Sequence, residues 1–125
     1  MKIMVPLDDN QGLKSRVCSH FGRAPYFAII NIEDNKVSLE IIENPRGKGI
    51  RAGELALKLG VNGVVVKDIG FRALEMLRSA GIEVYACNVN TLEEVIEEAK
   101  RGSLIKYSGR GCRGFQERWE KGMML

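Results

Sequence analysis

The sequence predicts an α/β domain: one mixed sheet of five strands with helices packed on it, in the order β-β-β-α-β-α-β-α. Three observations point there. Two apolar runs, Tyr26–Ile32 and Val37–Ile42, flank the short polar turn Glu33-Asp34-Asn35, as in an antiparallel hairpin. Two β-branched strands, Val61–Val66 and Ile82–Cys87, alternate with helical patterns, as in β-α-β crossovers. Finally, 125 residues with 45% hydrophobic and 28% charged residues are enough for a single core-forming domain and too apolar for a disordered chain.

Lys2–Pro6 reads as the first strand, stopped by Pro6 and the polar run from Asp8 to Gly12. Residues 8–25 show no period and read as a long loop. Tyr26–Ile32 is almost wholly apolar, as expected of a strand covered on both faces. Val37–Ile42 alternates at first, as a half-buried or edge strand should. Behind the loop Asn44-Pro45-Arg46-Gly47-Lys48-Gly49, residues Ala52, Leu55, Ala56 and Leu59 mark one helical face, and Gly60 stands at the C-terminal cap position. Leu74, Leu77 and Ala80 give the second helix, ended by Gly81. Thr91 and Glu94 form a capping box ahead of a third helix striped by Leu92, Val95, Ile96 and Ala99. In such a sheet, ligands bind at the carboxyl ends of the parallel strands. Segments 8–25, 44–49 and 67–70 can reach that edge.

Several function classes are excluded or disfavoured. Apolar runs such as Phe27–Ile30 and Val64–Val66 fall far short of the ~20 residues of a membrane span. The N-terminus meets charge too early for a signal peptide. Three cysteines, Cys18, Cys87 and Cys112, at unpatterned spacings argue against a disulfide scaffold and for a reducing, cytoplasmic setting. The lone histidine, His20, is the only residue available to a Ser-His-Asp or Cys-His site, and neither a nucleophile elbow nor a zinc spacing nor a Walker A loop is present. A non-catalytic protein is therefore expected. Charge is uneven: residues 1–100 carry 13 basic and 14 acidic side chains, whereas 101–125 carry six basic and two acidic ones. The tail is basic, which suits either a solvated segment or an anionic partner.

The densest chemistry lies in Cys18-Ser19-His20-Phe21-Gly22-Arg23. In extended backbone, Cys18 and His20 project to the same side, and a thiol beside an imidazole suits iron or an iron–sulfur species. The competing reading makes His20 a loop residue bonded to backbone and Cys18 a small core residue. The loop 44–49, with Arg46, Lys48 and Arg51 ahead of a helix N-terminus, suits an anion, or is simply a flexible turn with solvated charges. Cys112 sits among arginines and glycines, a setting that favours the thiolate, or it is an inert thiol on a mobile tail. Cys87 reads as core.

The run Ser19-His20-Phe21-Gly22-Arg23-Ala24-Pro25-Tyr26-Phe27 resembles the S-H-F-G-x-A-x-x-F signature of the dinitrogenase iron–molybdenum cofactor biosynthesis proteins, of the NifX and NifB C-terminal type. Gly47–Leu59 is similar to the family's glycine loop and first helix. Ile69–Leu77 with Ala80–Tyr85 resembles its I-G-x-x-A-L-x-x-L…A-G-I-x-V-Y pattern. The resemblance covers about residues 1–103 and leaves 104–125 as a basic tail. It implies a ribonuclease H-like motif and a carrier of an iron–sulfur or iron–molybdenum-type cluster, held as cargo between cluster donor and acceptor proteins. The resemblance places the cluster contact on His20; with the residue types read above, the candidate cofactor-binding residues are His20, Phe21, Gly22, Arg23, Arg46, Gly47, Lys48 and Gly49, and the candidate metal ligands are His20, Cys18 and Cys112. Two alternatives stay open: a cofactor-free regulatory or protein-interaction module, with Phe115 and Trp119 of the tail as a docking segment, and a nucleotide- or nucleic-acid-binding module. A nuclease is disfavoured, because strand one carries no carboxylate, although Asp8 and Asp9 follow it.

Overall fold

The structure, a computed structural model, describes residues 1–109. It contains a mixed sheet of six strands with three α-helices: β1 (Lys2–Leu7), β2 (Tyr26–Glu33), β3 (Lys36–Glu43), α1 (Ala52–Leu59), β4 (Gly63–Val66), α2 (Phe71–Ser79), β5 (Glu83–Ala86), α3 (Leu92–Arg101) and β6 (Ile105–Lys106). The strand order is β3-β2-β1-β4-β5-β6. The sequence predicts five strands. The sixth is two residues of the segment read as tail, antiparallel to β5, and two residues are too few to show a period.

β1, β4 and β5 are parallel neighbours, while β2 runs antiparallel to both β1 and β3. The hairpin between β2 and β3 closes through Asp34 and Asn35, both at positive φ (47° and 69°). That is the primed two-residue turn whose twist matches the strands, and Asp and Asn are among the few side chains that adopt it readily.

Period-two alternation divides the core. Met4, Phe27, Ile29, Val64, Val66 and Val84 face α1 and α2, packing on Ala52, Leu55, Ala56, Leu74 and Leu77. Ile3, Val5, Leu7, Ala28, Ile30 and Val65 face α3, packing on Leu92, Val95 and Ile96. Two helices thus cover one face and one covers the other, so both faces of β1, β2 and β4 are buried.

The first loop is irregular but pinned. Ser15, fully buried, accepts from the Gln11 amide through Oγ (2.8 Å) and from the Leu92 amide through its carbonyl (2.9 Å). The Cys18 amide donates to the Pro6 carbonyl (2.9 Å) and the Val17 amide to the Asn90 carbonyl (2.9 Å). These bonds run to the far end of β1 and to the entrance of α3. They satisfy backbone groups that a free loop would give to water.

α3 begins with the expected capping box: Thr91 Oγ1 accepts from the Glu94 amide (3.4 Å), and Glu94 Oε1 accepts from the Thr91 amide (3.2 Å). Replacing Thr91 with Ala should lower stability by about 1 kcal/mol in urea unfolding, with the denaturant slope unchanged.

Candidate functional site

Parallel pairing sends β1 and β4 to the same edge, and the segments that follow them meet there. Together with the turn that follows β3 and the starts of α1 and α2, they form a cleft of about 820 Å³. Its wall includes His20, Phe21, Gly22 and Arg23 from the first loop, Arg46 and Gly49 from the second, and Asp68, Ile69 and Gly70 after β4. All three segments singled out from the sequence contribute.

Phe21 fixes the first wall. Its ring is 1% exposed and lies tilted against Phe27, with centroids 5.7 Å apart. Ala24 is buried beside it. With these two residues anchored, His20, Gly22 and Arg23 are left exposed at the rim. The imidazole makes no hydrogen bond to another side chain among the described residues.

Asn44 joins this wall to the next. Its Nδ2 donates to the carbonyls of Ala24 (2.7 Å) and Gly22 (3.3 Å), its Oδ1 accepts from the Arg46 amide (3.0 Å), and its own amide donates to the Pro25 carbonyl (3.0 Å). Beyond it, Pro45–Lys48 makes a tight turn that Gly49 ends at φ 83°, a conformation glycine takes without strain.

The third wall is made of helix starts. Arg51 and Gly70 are the N-cap residues of α1 and α2, and neither cap offers a side-chain acceptor, unlike Thr91 of α3. Arg51, Ala52, Gly53, Gly70, Arg72 and Ala73 line the cleft, so two helix N-termini are directed at one space. Where the two helices pack, Gly53 faces Met76: a Cβ there would lie 2.8 Å from Met76 Sδ, so the methionine side chain fills the space beside the glycine.

The electrostatic balance is lopsided. Arg23, Arg46, Arg51 and Arg72 line the cleft against the single carboxylate of Asp68, one oxygen of which accepts from the Ile69 amide (3.0 Å). Among the described residues the only ion pair is Lys106–Glu83 (3.1 Å), which is not part of the cleft. The four guanidinium groups are therefore not neutralised by carboxylates.

The other sequence candidates fall elsewhere. Gly47 and Lys48 are exposed in the same turn but do not line the cleft. Cys18 and His20 do not project together: the chain bends at Ser19, Cys18 is buried in the core beneath α1 and α2, and its thiol donates to the His20 carbonyl (3.5 Å). Burial pushes the Cys18 thiol up, with Asp8 adding to the effect. Burial likewise raises the Cys87 thiol. Cys112, Phe115 and Trp119 lie outside the described residues. No group of three or more His, Cys, Asp or Glu side chains could hold a metal ion among the described residues. Arg72 and Met76 are cleft residues that sequence reasoning missed, since on an isolated helix both look like ordinary surface positions.

Residues 1–102 match the protein family described as dinitrogenase iron-molybdenum cofactor. The chain belongs to that family. It is 35% identical over 113 residues to MJ0580 of Methanocaldococcus jannaschii, an uncharacterised protein, covering 86% of this chain and 92% of that one. Its fold is similar to the crystal structure of PH0822, with a TM-score of 0.74 and 33% identity over 88% of this chain and 99% of that one. It is also similar to a Methanocaldococcus jannaschii protein provisionally named a dinitrogenase, with a TM-score of 0.72 and 25% identity over 87% and 96% of the two chains. Family and neighbours together identify a nitrogenase cofactor biosynthesis-like protein.

Two outcomes follow from this geometry. Asn44→Ala should cost about 1–3 kcal/mol, because two carbonyls and an amide lose one shared partner, and should speed amide exchange in residues 20–25. Cys18 and Cys87 should react with a thiol reagent much more slowly than a free cysteine at about pH 8, and at the ordinary rate once urea unfolds the chain.

Proposed function

We propose that the protein is a non-catalytic carrier of an anionic iron–sulfur-type cofactor or cluster precursor, received from a donor protein and passed to an acceptor. One observation carries this reading: four arginines and two helix N-termini without side-chain caps converge on a single cleft that holds one carboxylate. Clusters bearing sulfide or thiolate ligands are usually negative, and such a cleft complements them over an area rather than at a point. His20 is the exposed imidazole at its rim and the residue we assign as ligand to the cargo.

The donor set fits cargo that brings most of its own ligands. Cys18 is turned inward and its thiolate is disfavoured by burial, so in this conformation it does not present sulfur to the cleft. Binding through charge and one imidazole is exchangeable, as handover requires. Exposed arginines act through screened charge, so affinity should fall as salt rises. We assign no catalytic step to the described residues. The strand order β3-β2-β1-β4-β5, with β2 opposed to its neighbours, supports a ribonuclease H-like motif as scaffold only. No helix among the described residues is long and apolar enough to cross a membrane, and the free buried thiols support a reducing, cytoplasmic setting.

The same cleft chemistry would also accept phosphate, which keeps a nucleotide as a second reading. Anaerobic titration with a soluble synthetic iron–sulfur cluster separates the two. Binding should weaken about tenfold or more in the Arg51→Gln/Arg72→Gln double variant and also weaken in His20→Ala. Equal cluster binding by wild type and both variants would remove the cleft from the account. Tight ATP binding with no cluster uptake would replace the carrier reading with the nucleotide one.

A further inference from the structure

The cleft leaves one feature of the molecule unused: the outer edge of β3. β3 ends the sheet, runs eight residues without proline or bulge, and no other described strand pairs with its outer side. Long regular edges of this kind are templates for pairing with another strand.

The alternation of backbone groups on β3 can be worked out. Glu33 and Lys36 close the two-residue turn, and the Asn44 amide donates back to the Pro25 carbonyl. Even-numbered residues of β3 therefore bond to β2, while the N–H and C=O groups of Val37, Leu39 and Ile41 point outward. The side chains of these three residues share one face. They stand opposite Ile32, Ile30 and Ala28, on the α3 side of the sheet. α3 does not reach the end of this row: Val37 is 37% exposed and Leu39 36%.

The geometry points to an interface between two copies of this chain, formed by antiparallel pairing of β3 with itself about a two-fold axis at Leu39. In that register Leu39 opposes the partner's Leu39, and Val37 opposes the partner's Ile41. All of these residues have outward main-chain groups, which gives about six new main-chain hydrogen bonds. The apolar row of one copy continues directly into the row of the other. On the opposite face, Ser38 meets the partner's Glu40, and Lys36 lies diagonal to that same carboxylate, an attractive pairing. Shifting the axis by one residue to Glu40 would set two carboxylates face to face at the centre of the interface. Shifting it to Ser38 would bring the tight turn at Asn35 opposite Ile41 and lose a bonded pair. Of these three registers, the one centred on Leu39 joins outward groups without opposing like charges or a turn.

Such a pairing yields a continuous twelve-stranded sheet from the two six-stranded ones. The axis lies mid-strand, whereas the cleft lies beyond the Glu43 end of β3, so the two clefts open at opposite ends and remain unobstructed.

Sedimentation equilibrium of the full chain up to about 1 mM tests the proposal, with Leu39→Lys, Leu39→Pro and Ile105→Lys beside the wild type. Wild type and Ile105→Lys, which alters the far edge of the sheet, should show a concentration-dependent dimer. Leu39→Lys should raise the dissociation constant about tenfold or more while keeping the wild-type circular dichroism. Leu39→Pro removes the outward N–H together with the leucine side chain and costs no bond to β2, so it should also be monomeric. As concentration rises in the wild type, the Leu39 amide should gain exchange protection. A wild type that stays monomeric throughout, a Leu39→Lys variant that dimerises like wild type, or loss of the dimer in Ile105→Lys alone would each overturn it. None of these outcomes bears on cluster binding in the cleft.

Discussion

Parallel pairing of β1, β4 and β5 is the constraint from which the site follows. Each right-handed crossover brings its helix back over the same face, so α1 and α2 lie side by side, with their positive ends near the carboxyl edge of the sheet. Where they pack, Met76 sulfur occupies the space beside Gly53 that a side chain would need. Arg51 and Arg72 stand at the starts of these helices because their positions follow from where β4 begins and ends. The positive cleft is thus a consequence of topology first and of individual arginines second.

The opposite wall is held differently. No regular element carries the loop containing His20; one buried ring and one amide side chain do the work. Phe21 is drawn into the core beneath Phe27, and Asn44 ties the carbonyls on either side of Arg23 to the start of the second loop. This leaves a buried anchor with exposed polar groups on either side of it. An exposed imidazole on an anchored loop can contact a ligand without being buried by it.

Most of the fold was legible because its signals are local. The capping box at Thr91, the glycines at 60, 81 and 102, and the period-two strands all report their own neighbourhood. Errors arose where local signals served two purposes. Val61 and Ile82 look like strand residues, but their amides close the ends of α1 and α2 by donating to Ala56 and Leu77, so β4 and β5 start later than the apolar runs. The long first loop has no period, because its order comes from bonds to Asn90 and Leu92, far along the chain. At the site, His20, Arg23 and Arg46 were readable from a dense motif and a basic loop. Arg72 was not, because its role depends on which helix lies next to its own. The shared direction expected of Cys18 and His20 failed at a bend whose cause, burial of Phe21 and Cys18 together, lies in tertiary packing.

The central claim is that charge spread over the cleft, not a set of protein thiolates, retains an anionic inorganic cargo. The most direct measurement is the iron and sulfide content of protein isolated without oxygen, before and after a wash in high salt. The account predicts a coloured protein that carries both elements and sheds them in salt while remaining folded. Protein isolated colourless and free of iron and sulfide, or carrying metal that persists through salt and leaves only on unfolding, would contradict it.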